Sequence, residues 1–322
     1  MNILIIGGTG FIGAPITRRL IAQGNRVALF HRGRTKAALP RSAIHIHGDR
    51  QRLAEFAPIL QSFRPEVVID TCAYSQRDAE LTVATFSGVA QRLVCLSSMD
   101  VYRAYGIFRG LEPGPPDPRP FDEKAPLRIA RYPYRMAAAN PDDLLFNYEK
   151  ILVEEVIRSD RGLPATVLRL PQVFGPGDPQ HRLAGYLRKM DGGEDVLLDE
   201  AKAGWRWTRG YVEDIAFAVE LVVENNKAAG QTYNVGEQNA LTELEWVTKL
   251  GAAAGWAGEI KLRSDSGESS PESYDWKQDL VANTDKIRSE LGYRETAPLE
   301  EALARSIAAE RRDASSFKQK QR

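Results

Sequence analysis

The sequence lacks the features that would place it outside the cell, in a membrane or mainly on nucleic acid. Its 322 residues include two cysteines, too few to hold together a secreted scaffold. No apolar stretch approaches the roughly 18 residues of a transmembrane helix, and Met1 leads into a strand-like run without the basic region of a signal peptide. The 43 Lys and Arg balance 43 Asp and Glu, which disfavours a protein built to bind polyanions. We therefore expect a cytoplasmic protein that binds no membrane.

Potential metal ligands are also few. The histidines and cysteines do not combine with carboxylates in a zinc-like spacing, and they are His31, His45, His47, His181, Cys72 and Cys95. The two thiols are instead typical of small buried hydrophobes. The sequence therefore predicts no metal site.

The first half of the chain alternates short apolar runs with helical patterns. Hydrophobic residues make up 43% of the chain, enough for a full core. Continuous apolar runs are typical of strands buried on both faces of a parallel sheet, and here they are Ile3–Ile6, Val27–Phe30, Ile44–Ile46, Val67–Ile69, Leu93–Leu96 and Ala165–Leu170. Strand–helix–strand repeats of this length predict an α/β protein with a Rossmann-type, doubly wound parallel sheet.

The remaining pattern suggests how the chain divides. We predict a dinucleotide-binding domain over 1–170, containing a proline-rich surface loop at 103–141, and a smaller α/β substrate lobe over 171–315, of which part of 211–240 returns to the first domain. Residues 316–322 are predicted to be a flexible tail. Further helices are predicted from residues 144–157, 182–190 and 212–224, and from a Thr242/Glu245 capping box that begins a helix through Leu250.

A glycine-rich turn follows the first predicted strand and opens the first helix. It reads Gly7-Gly8-Thr9-Gly10-Phe11-Ile12-Gly13. The first glycine permits a tight turn, the second lets backbone N–H groups approach a pyrophosphate, and the third allows the helix to pack closely on the sheet. Between a strand and an amphipathic helix, this spacing predicts a dinucleotide site.

The residues after the second strand indicate which dinucleotide. An acid at this place usually holds the ribose of NAD, whereas arginine accommodates the 2′-phosphate of NADP. Here the chain has His31, Arg32 and Arg34 and no acid, so we predict NADP over NAD, the alternative being a solvated basic loop. After the third strand, Asp49 either contacts adenine or caps the next helix, and Arg50 follows it as a further cofactor candidate.

Several motifs together resemble an extended, atypical short-chain dehydrogenase/reductase of the NAD-dependent epimerase and dehydratase family. They are the glycine turn, Ser97-Ser98-Met99-Asp100-Val101-Tyr102, Lys150 to Glu154, Arg169 to Gly177, and Tyr211-Val212-Glu213-Asp214. The resemblance implies a Rossmann domain, a substrate lobe that binds nucleotide-linked sugars, and homodimers. In addition to the turn residues, it implies cofactor contacts by Cys72, Ala73, Ser97, Lys150, Pro171 and Val173.

The resemblance implies catalytic roles for Ser98 and Lys150. Ser98 would hydrogen-bond a substrate carbonyl, with a turn cap as the alternative, and Lys150 would hold the nicotinamide ribose and lower the pKa of a catalytic tyrosine. The family motif Y-x-x-x-K, however, has Phe146 at its first position. Tyr148 stands two residues before the lysine, which on a helix would turn it to another face. The other candidates for the missing acid/base are Tyr102, Tyr105, Tyr132 and Tyr134, among which Tyr134 is carried forward with Tyr148.

The predicted substrate contacts also depart from the family pattern. Gln172 stands where the family usually has asparagine, and Trp207 occupies the place of a diphosphate-binding arginine. Arg206 and Arg209 are the nearest guanidinium groups, whereas Trp205 and Trp207 either stack on a planar ring or belong to the core. The full set of candidate substrate residues is Asp100, Tyr102, Gln172, Arg206 and Arg209.

Two functions are compatible with these observations. One is an NADP-dependent oxidoreductase, epimerase or dehydratase acting on a hydroxyl or carbonyl carbon of a small sugar-like molecule by hydride transfer. The alternative is a non-catalytic Rossmann protein that binds a dinucleotide or RNA, resembling chloroplast stem-loop-binding proteins. Its phosphate contacts would come from the basic loop between Arg32 and Arg52 and from the tail Lys318–Arg322.

Overall fold

A computed structural model describes residues 1–35, 37–264 and 274–320. Its strands are β1 (Asn2–Ile6), β2 (Arg26–His31), β3 (Ile44–His47), β4 (Val67–Asp70), β5 (Arg92–Ser98), β6 (Ala165–Leu170), β7 (Gln172–Phe174), β8 (Val196–Asp199), β9 (Arg209–Tyr211), β10 (Thr232–Asn234) and β11 (Ile260–Arg263). Its helices are α1 (Gly13–Ala22), α2 (Ala57–Ser62), α3 (Gln76–Phe86), α4 (Arg103–Phe108), α5 (Lys150–Ser159), α6 (Ala184–Asp191), α7 (Glu200–Gly204), α8 (Val212–Glu224), α9 (Glu243–Ala254), α10 (Asp285–Leu291) and α11 (Leu299–Lys320).

A seven-stranded parallel sheet organises the chain, in the order β10-β6-β5-β4-β1-β2-β3. Alternate side chains of a strand point to opposite faces, and both faces here are covered by helices. Ile3 and Ile5 of β1 join a core with α1 and α8, whereas Leu4 and Ile6 join a second core beneath α3 and α5. The predicted doubly wound fold and its first six strands are confirmed.

The chain after β6 forms two small parallel sheets and adds one strand to the main sheet. The small sheets are the strand pairs β11-β8 and β7-β9. Strand β10 pairs with β6 at the edge of the main sheet. Helix α8 packs along α1, where Arg19 lies 2.5 Å from Glu220 and Arg18 lies 3.1 Å from Glu213.

Most predicted helices are present, but the one expected over residues 144–157 begins only at Lys150. The chain before it is held in turns by short-range bonds, such as that from the Leu145 N–H to the Asp143 carboxylate at 2.9 Å. Glu149 accepts the Ile151 N–H at 3.0 Å and so caps the helix start. The exposed Leu144 belongs to no buried stripe.

One further expectation needs correction. The proline-rich loop is not wholly irregular, because its first residues, Arg103–Phe108, form α4 and bury Ile107 and Phe108. Helix α11 runs to Lys320 and is anchored by the buried Leu303 and Ile307, while the flexibility of the tail stays a prediction. Residues 321–322, which belong to the predicted tail, lie outside the described part.

Candidate active site

The glycine turn lies at the carboxyl end of β1, in the centre of the sheet. Gly7 has φ +87°, a conformation that favours glycine. The Gly10 N–H donates to the Gly7 carbonyl at 3.1 Å and closes the turn. A Cβ on Gly13 would stand 2.2 Å from the Gly7 oxygen and 2.8 Å from the Gly8 Cα, so close backbone contact between α1 and the turn requires glycine there.

Contacts within the chain do not require glycine at position 10. A Cβ there would meet only the Gly7 oxygen, at an ordinary 3.4 Å, and its φ is not positive. The N-cap residue of α1 is Ile12, and no side chain makes a capping hydrogen bond there. The Ala14 N–H donates to the Gly10 carbonyl at 2.9 Å and so closes the first helical turn. A helix start without a side-chain cap, beside an open backbone surface, is suited to a phosphate. The turn, with Thr9 and Phe11 between its glycines, therefore fits a dinucleotide.

The end of β2 carries the residues predicted to select the dinucleotide. Arg32 and Arg34 are exposed, whereas His31 is buried. His31 accepts the Gly33 N–H on Nδ1 at 3.1 Å, so its proton lies on Nε2, 2.8 Å from His45 Nδ1. Burial and the neighbouring His47 and His45 lower the pKa of His31. The fold therefore favours the neutral form of His31, and the exposed arginines carry the positive charge at this end of β2.

The two residues after β3 that were predicted to contact the cofactor, Asp49 and Arg50, make hydrogen bonds within the chain. Asp49 accepts the Gln51 N–H at 3.0 Å, so the capping alternative holds in this structure. Arg50 donates to both Asp70 oxygens, at 2.9 and 3.1 Å, and its side chain is 11% exposed. Asp78 is a second partner of this guanidinium. The prediction that the Arg50 side chain binds cofactor is therefore corrected, because its guanidinium pairs with Asp70 of β4 and Asp78 of α3.

The other residues implied as cofactor contacts divide into two kinds. Cys72 lies against the glycine turn, since a Cβ on Gly7 would stand 3.1 Å from its sulfur, and burial raises the pKa of its thiol to about 11. The side chains of Ser97 and Val173 are not placed as the predicted cofactor contacts. Ser97 donates to Glu154 at 2.6 Å, and Val173 packs in the core. Both side chains are removed from any open crevice, and only the backbone there could reach a ligand.

Lys150 is held at the centre of the sheet's carboxyl edge. Its Nζ donates to the carbonyl of Ala73, in the loop after β4, at 2.7 Å and to that of Leu96, inside β5, at 2.8 Å. The ammonium also lies 4.9 Å from the centroid of the Tyr74 ring and 6.0 Å from that of Tyr148. An ammonium has three donors, so two carbonyls orient it and leave one N–H for a ligand.

A cluster of hydroxyls and one carboxyl lies beside this lysine. Tyr148 donates to Asp100 Oδ2 at 2.8 Å and Tyr134 donates to the same oxygen at 3.1 Å. The Tyr105 hydroxyl lies 2.8 Å from that of Tyr134. Ser98 accepts the Asp100 N–H at 3.2 Å, so the turn-cap alternative is also present. Two tyrosines distant in sequence thus meet at one buried carboxyl.

Tyr148 reaches this cluster because it does not belong to a helix. The argument that its side chain turns to another face assumed a helix through residue 148, whereas α5 begins at Lys150. Burial, followed by the negative charge of Asp100, raises the pKa of Tyr148 well above its ordinary value, and the Ser98 hydroxyl opposes this. Phe146, at the family's tyrosine position, lies 4.8 Å beneath the Arg135 guanidinium.

Sequence reasoning missed the pair that fixes the loop around this cluster. Arg128 and Glu149 are both fully buried and lie 3.1 Å apart. Arg128 also donates to the Asp100 carbonyl, and Glu149 accepts the Tyr132 N–H at 2.6 Å. No local pattern indicates this pair, because an arginine in a proline-rich loop gives no sign of burial and Glu149 falls inside the helix predicted over residues 144–157.

The predicted substrate residues do not line one open surface. Tyr102 is fully buried and donates to Asn234 at 2.6 Å, so its predicted substrate contact is corrected. Asp100 also lies behind the tyrosines rather than at an open surface. Arg209 is buried in an ion pair with Glu243 and is likewise not available. Gln172 and Arg206 remain half-buried, with Arg206 donating to the Ala240 carbonyl at 2.8 Å.

The tryptophans belong to packing. Trp205 is buried and stacks on Phe108, with ring centroids 4.7 Å apart and planes at 10°. Its indole N–H donates to the Gln278 carbonyl at 2.8 Å. Trp207 lies against Trp205 at 5.2 Å. Of the two alternatives, the core interpretation describes Trp205, while Trp207 stays half-buried at its edge.

Two searches over the described ranges bear on metals and membranes. Within them, no group of three or more His, Cys, Asp or Glu side chains could hold a metal ion. None of the helices there is long and apolar enough to cross a bilayer.

Known proteins match the chain in sequence and fold. A 2′-dehydrokanamycin reductase of Streptomyces kanamyceticus is 25% identical over 79% of this chain and 67% of its own. A chloroplast stem-loop binding protein of 41 kDa from Arabidopsis thaliana is 23% identical over 95% of this chain and 78% of its own. The structure of a UDP-glucose 4-epimerase with UDP-glucose from Thermotoga maritima superimposes with TM-score 0.72 at 20% identity, covering 98% of this chain and 100% of that one.

A match to a family model identifies the family of this chain. The model of the NAD-dependent epimerase/dehydratase family matches residues 3–236, most of the chain and all the strands of the main sheet. Members of this family are enzymes that use NAD(P). The chain belongs to the NAD-dependent epimerase/dehydratase family.

Proposed function

We propose that this protein is an NADP-dependent oxidoreductase or epimerase that acts on a secondary hydroxyl or carbonyl of a nucleotide-linked sugar. The observation that carries the proposal is the position of Lys150, Tyr148 and Ser98 at the carboxyl ends of β4 and β5, beside the glycine turn. This is the edge at which open α/β sheets bind ligands. A phenol and a hydroxyl converge there next to a fixed cation, although the usual tyrosine position is Phe146.

Each group has a proposed role. The glycine turn and the start of α1 hold the pyrophosphate of the dinucleotide, and Lys150 donates its remaining N–H to the nicotinamide ribose. Ser98 hydrogen-bonds the substrate oxygen, and Tyr148 donates a proton to it or receives one from it. When bound, the nicotinamide supplies the hydride chemistry at the neighbouring carbon. Tyr134 supports this arrangement through Asp100 rather than by direct contact.

NADP is the proposed dinucleotide because the end of β2 offers guanidinium groups and no carboxylate. Arg32 and Arg34 are exposed within a few residues of the buried His31. An arginine fork binds a phosphate well, and a free 2′-hydroxyl would find no acid to accept its hydrogen bond here. The preference concerns the described residues, since Lys36 lies outside them.

The sugar-nucleotide substrate is proposed from relatives. A dTDP-glucose 4,6-dehydratase of Salmonella typhimurium is 24% identical over 77% of this chain and 75% of its own. Gln172 and Arg206, half-buried at the substrate lobe, are the residues proposed to contact such a molecule. Homodimer formation stays a prediction, which sedimentation of the purified protein would test.

Calorimetric titration with NADPH, NADP and NAD is the first experiment. It is followed by turnover assays with dTDP- and UDP-linked sugars and with 2′-dehydrokanamycin, monitored by cofactor absorbance and by isomer analysis. Tight NADP binding with turnover of one substrate supports the proposal. Binding of NAD at least tenfold tighter than NADP, about 1.4 kcal/mol, contradicts the cofactor preference. Absence of any dinucleotide binding contradicts the proposal as a whole.

A second candidate, RNA binding, is favoured by one observation, the Arabidopsis stem-loop binding relative that aligns with 95% of this chain. The exposed arginines after β2 would then contact RNA phosphates. The side chains of the tail Lys318–Arg322 lie outside the described part of the chain. RNA binding with steep salt dependence would support it. Binding of NADP that competes with RNA would place both ligands at the same edge of the sheet.

A further inference from the structure

Asp100 has surroundings unlike those of an ordinary carboxylate. It lies on the short turn Met99–Val101 after β5 and is 4% exposed. Both phenolic donors, Tyr148 and Tyr134, bond to Oδ2, while Oδ1 is buried and has no hydrogen-bond partner in the described part of the chain. A buried carboxylate needs donors on both oxygens, whereas a neutral carboxylic acid needs fewer. The site therefore favours a carboxyl group that can hold a proton.

The charges around Asp100 do not neutralise it by direct pairing. Arg128 donates to the Asp100 main-chain carbonyl and pairs its guanidinium with Glu149. Lys150 donates to two main-chain carbonyls instead. Burial raises the pKa of Asp100, although Arg128 and Lys150 act in the opposite direction. The remaining titratable groups that face it are the phenols of Tyr148, Tyr134 and Tyr105.

Tyr148 by itself is a poor proton acceptor. Its side chain is half-buried and its proton is already donated to a carboxylate oxygen 2.8 Å away. Burial and the charge of Asp100 hold its pKa well above 10, so the phenolate is scarcely populated near pH 7. Such a group can take a substrate proton only if it passes its own proton on in the same step. The neighbouring oxygen that can receive it is Asp100 Oδ2.

We propose that Asp100 is the proton acceptor of this site and that Tyr148 relays protons between it and the substrate. In the oxidative direction, the substrate hydroxyl proton moves to Tyr148 Oη while the Tyr148 proton moves to Asp100 Oδ2. The substrate carbon loses its hydride to the oxidised dinucleotide of the proposed function, on which this step rests, and a C=O bond forms. Reduction reverses each transfer. Tyr134, itself bonded by Tyr105, fixes the position of Oδ2.

Infrared spectroscopy tests the carboxyl group without any substrate. The pH-dependent difference spectrum of the wild type, minus that of Asp100→Asn, isolates the carboxylic-acid C=O stretch of this residue. We expect that band to persist above about pH 4, where an ordinary aspartic acid is half ionised. Tyr148→Phe should shift its frequency, because one donor to Oδ2 is lost. An Asp100 that titrates at or below about pH 4 overturns the proposal even if the enzyme is active.

Kinetics test the relay. Asp100→Asn should lower kcat of the oxidation about 10²-fold or more and remove the rise of kcat with pH that reports ionisation of Asp100. The exposed Asp142→Asn makes the same chemical change as a control and should leave the pH profile unaltered. Because the two groups act in series, Asp100→Asn/Tyr148→Phe should be no slower than Tyr148→Phe. Additive losses, or an unaltered pH profile in Asp100→Asn, overturn the relay.

A wild type that turns over no substrate would mark failure of the proposed function instead. In that case the infrared titration still decides whether Asp100 holds a proton. Should Asp100→Asn not fold, Tyr148→Phe carries both measurements, since it retains the carboxyl and removes only the link to the substrate.

Discussion

Gly13→Ala and Gly10→Ala should separate the two demands on the glycine turn, one set by the fold and the other by a ligand. In Gly13→Ala the new Cβ would stand 2.2 Å from the Gly7 oxygen and 2.8 Å from the Gly8 Cα. Both are main-chain atoms, so no side chain can rotate away. Ordinary contact begins at 3.4 Å, so the turn or α1 must move by the difference from 2.2 Å, about 1.2 Å.

The magnitude follows from two opposing effects. Replacing glycine by alanine at a position with permitted φ stabilises a protein by about 0.4–1 kcal/mol through the unfolded state. Forcing an extra carbon into a packed site costs about 1–3 kcal/mol. The clash should win, with a net loss of about 1–2 kcal/mol of unfolding free energy. At about 2–4 °C per kcal/mol, the melting temperature should fall by about 2–8 °C.

Gly10→Ala is the matched control, because its Cβ meets only the Gly7 oxygen at 3.4 Å. Its melting temperature should stay near that of the wild type, while the affinity for NADP should fall at least tenfold, about 1.4 kcal/mol. Thermal unfolding and calorimetric titration measure the two quantities on the same samples. Unchanged affinity in Gly10→Ala would refute the phosphate cradle, and a Gly13→Ala variant as stable as the wild type would refute the packing argument.

Three further predictions concern charge. Arg32→Asp should weaken NADP relative to NAD by about tenfold in calorimetric titration, since it replaces the proposed donor to the 2′-phosphate by a repelling carboxylate; equal losses for both dinucleotides would contradict this. Glu154→Gln should lower the unfolding free energy by about 3–5 kcal/mol, because it removes the negative charge 2.7 Å from the buried Arg169 guanidinium, whereas Glu155→Gln at an exposed pair should cost at most about 1 kcal/mol. His31 has a lowered pKa in the fold, so the folded state prefers neutral histidine and loses stability as pH falls through about 6.5. His31→Gln should therefore show a smaller drop in melting temperature between about pH 8 and pH 5.5 than the wild type, and an equal drop would count against it.

The main sheet could be predicted because local sequence determines it. A strand buried on both faces must be apolar along its length, and β1 and β4 are unbroken apolar runs apart from their ends. The capping box at Thr242 likewise acts within one helical turn, and the structure has it with both hydrogen bonds. The glycine turn belongs to the same class, since its geometry is set by seven consecutive residues. Each of these features involves partners near in sequence or a uniform environment.

The active-site cluster could be predicted only in part, because its partners are distant in sequence. Tyr148 bonds to a carboxyl 48 residues earlier, and Tyr134 to the same group 34 residues earlier. The helical pattern extended α5 too far towards the N-terminus, and so gave Tyr148 the wrong direction. Arg50 looked like a ligand contact for a similar reason. Its buried partner Asp70 lies 20 residues away on β4, and no local pattern indicates that pairing.

The loop before α5 explains how a chain with Phe146 at the family position can still place a phenol beside Lys150. A tyrosine on the helix would have its direction fixed by helical geometry relative to the lysine, whereas Tyr148 precedes the helix and is directed by its loop. That loop is fixed by the fully buried Arg128–Glu149 pair, and Glu149 also caps the helix that begins with Lys150. The same carboxylate thus determines where the lysine helix starts and where the loop approaches it. The phenol, its carboxyl partner and the lysine are therefore positioned together, which is why the site does not depend on a tyrosine four residues before the lysine.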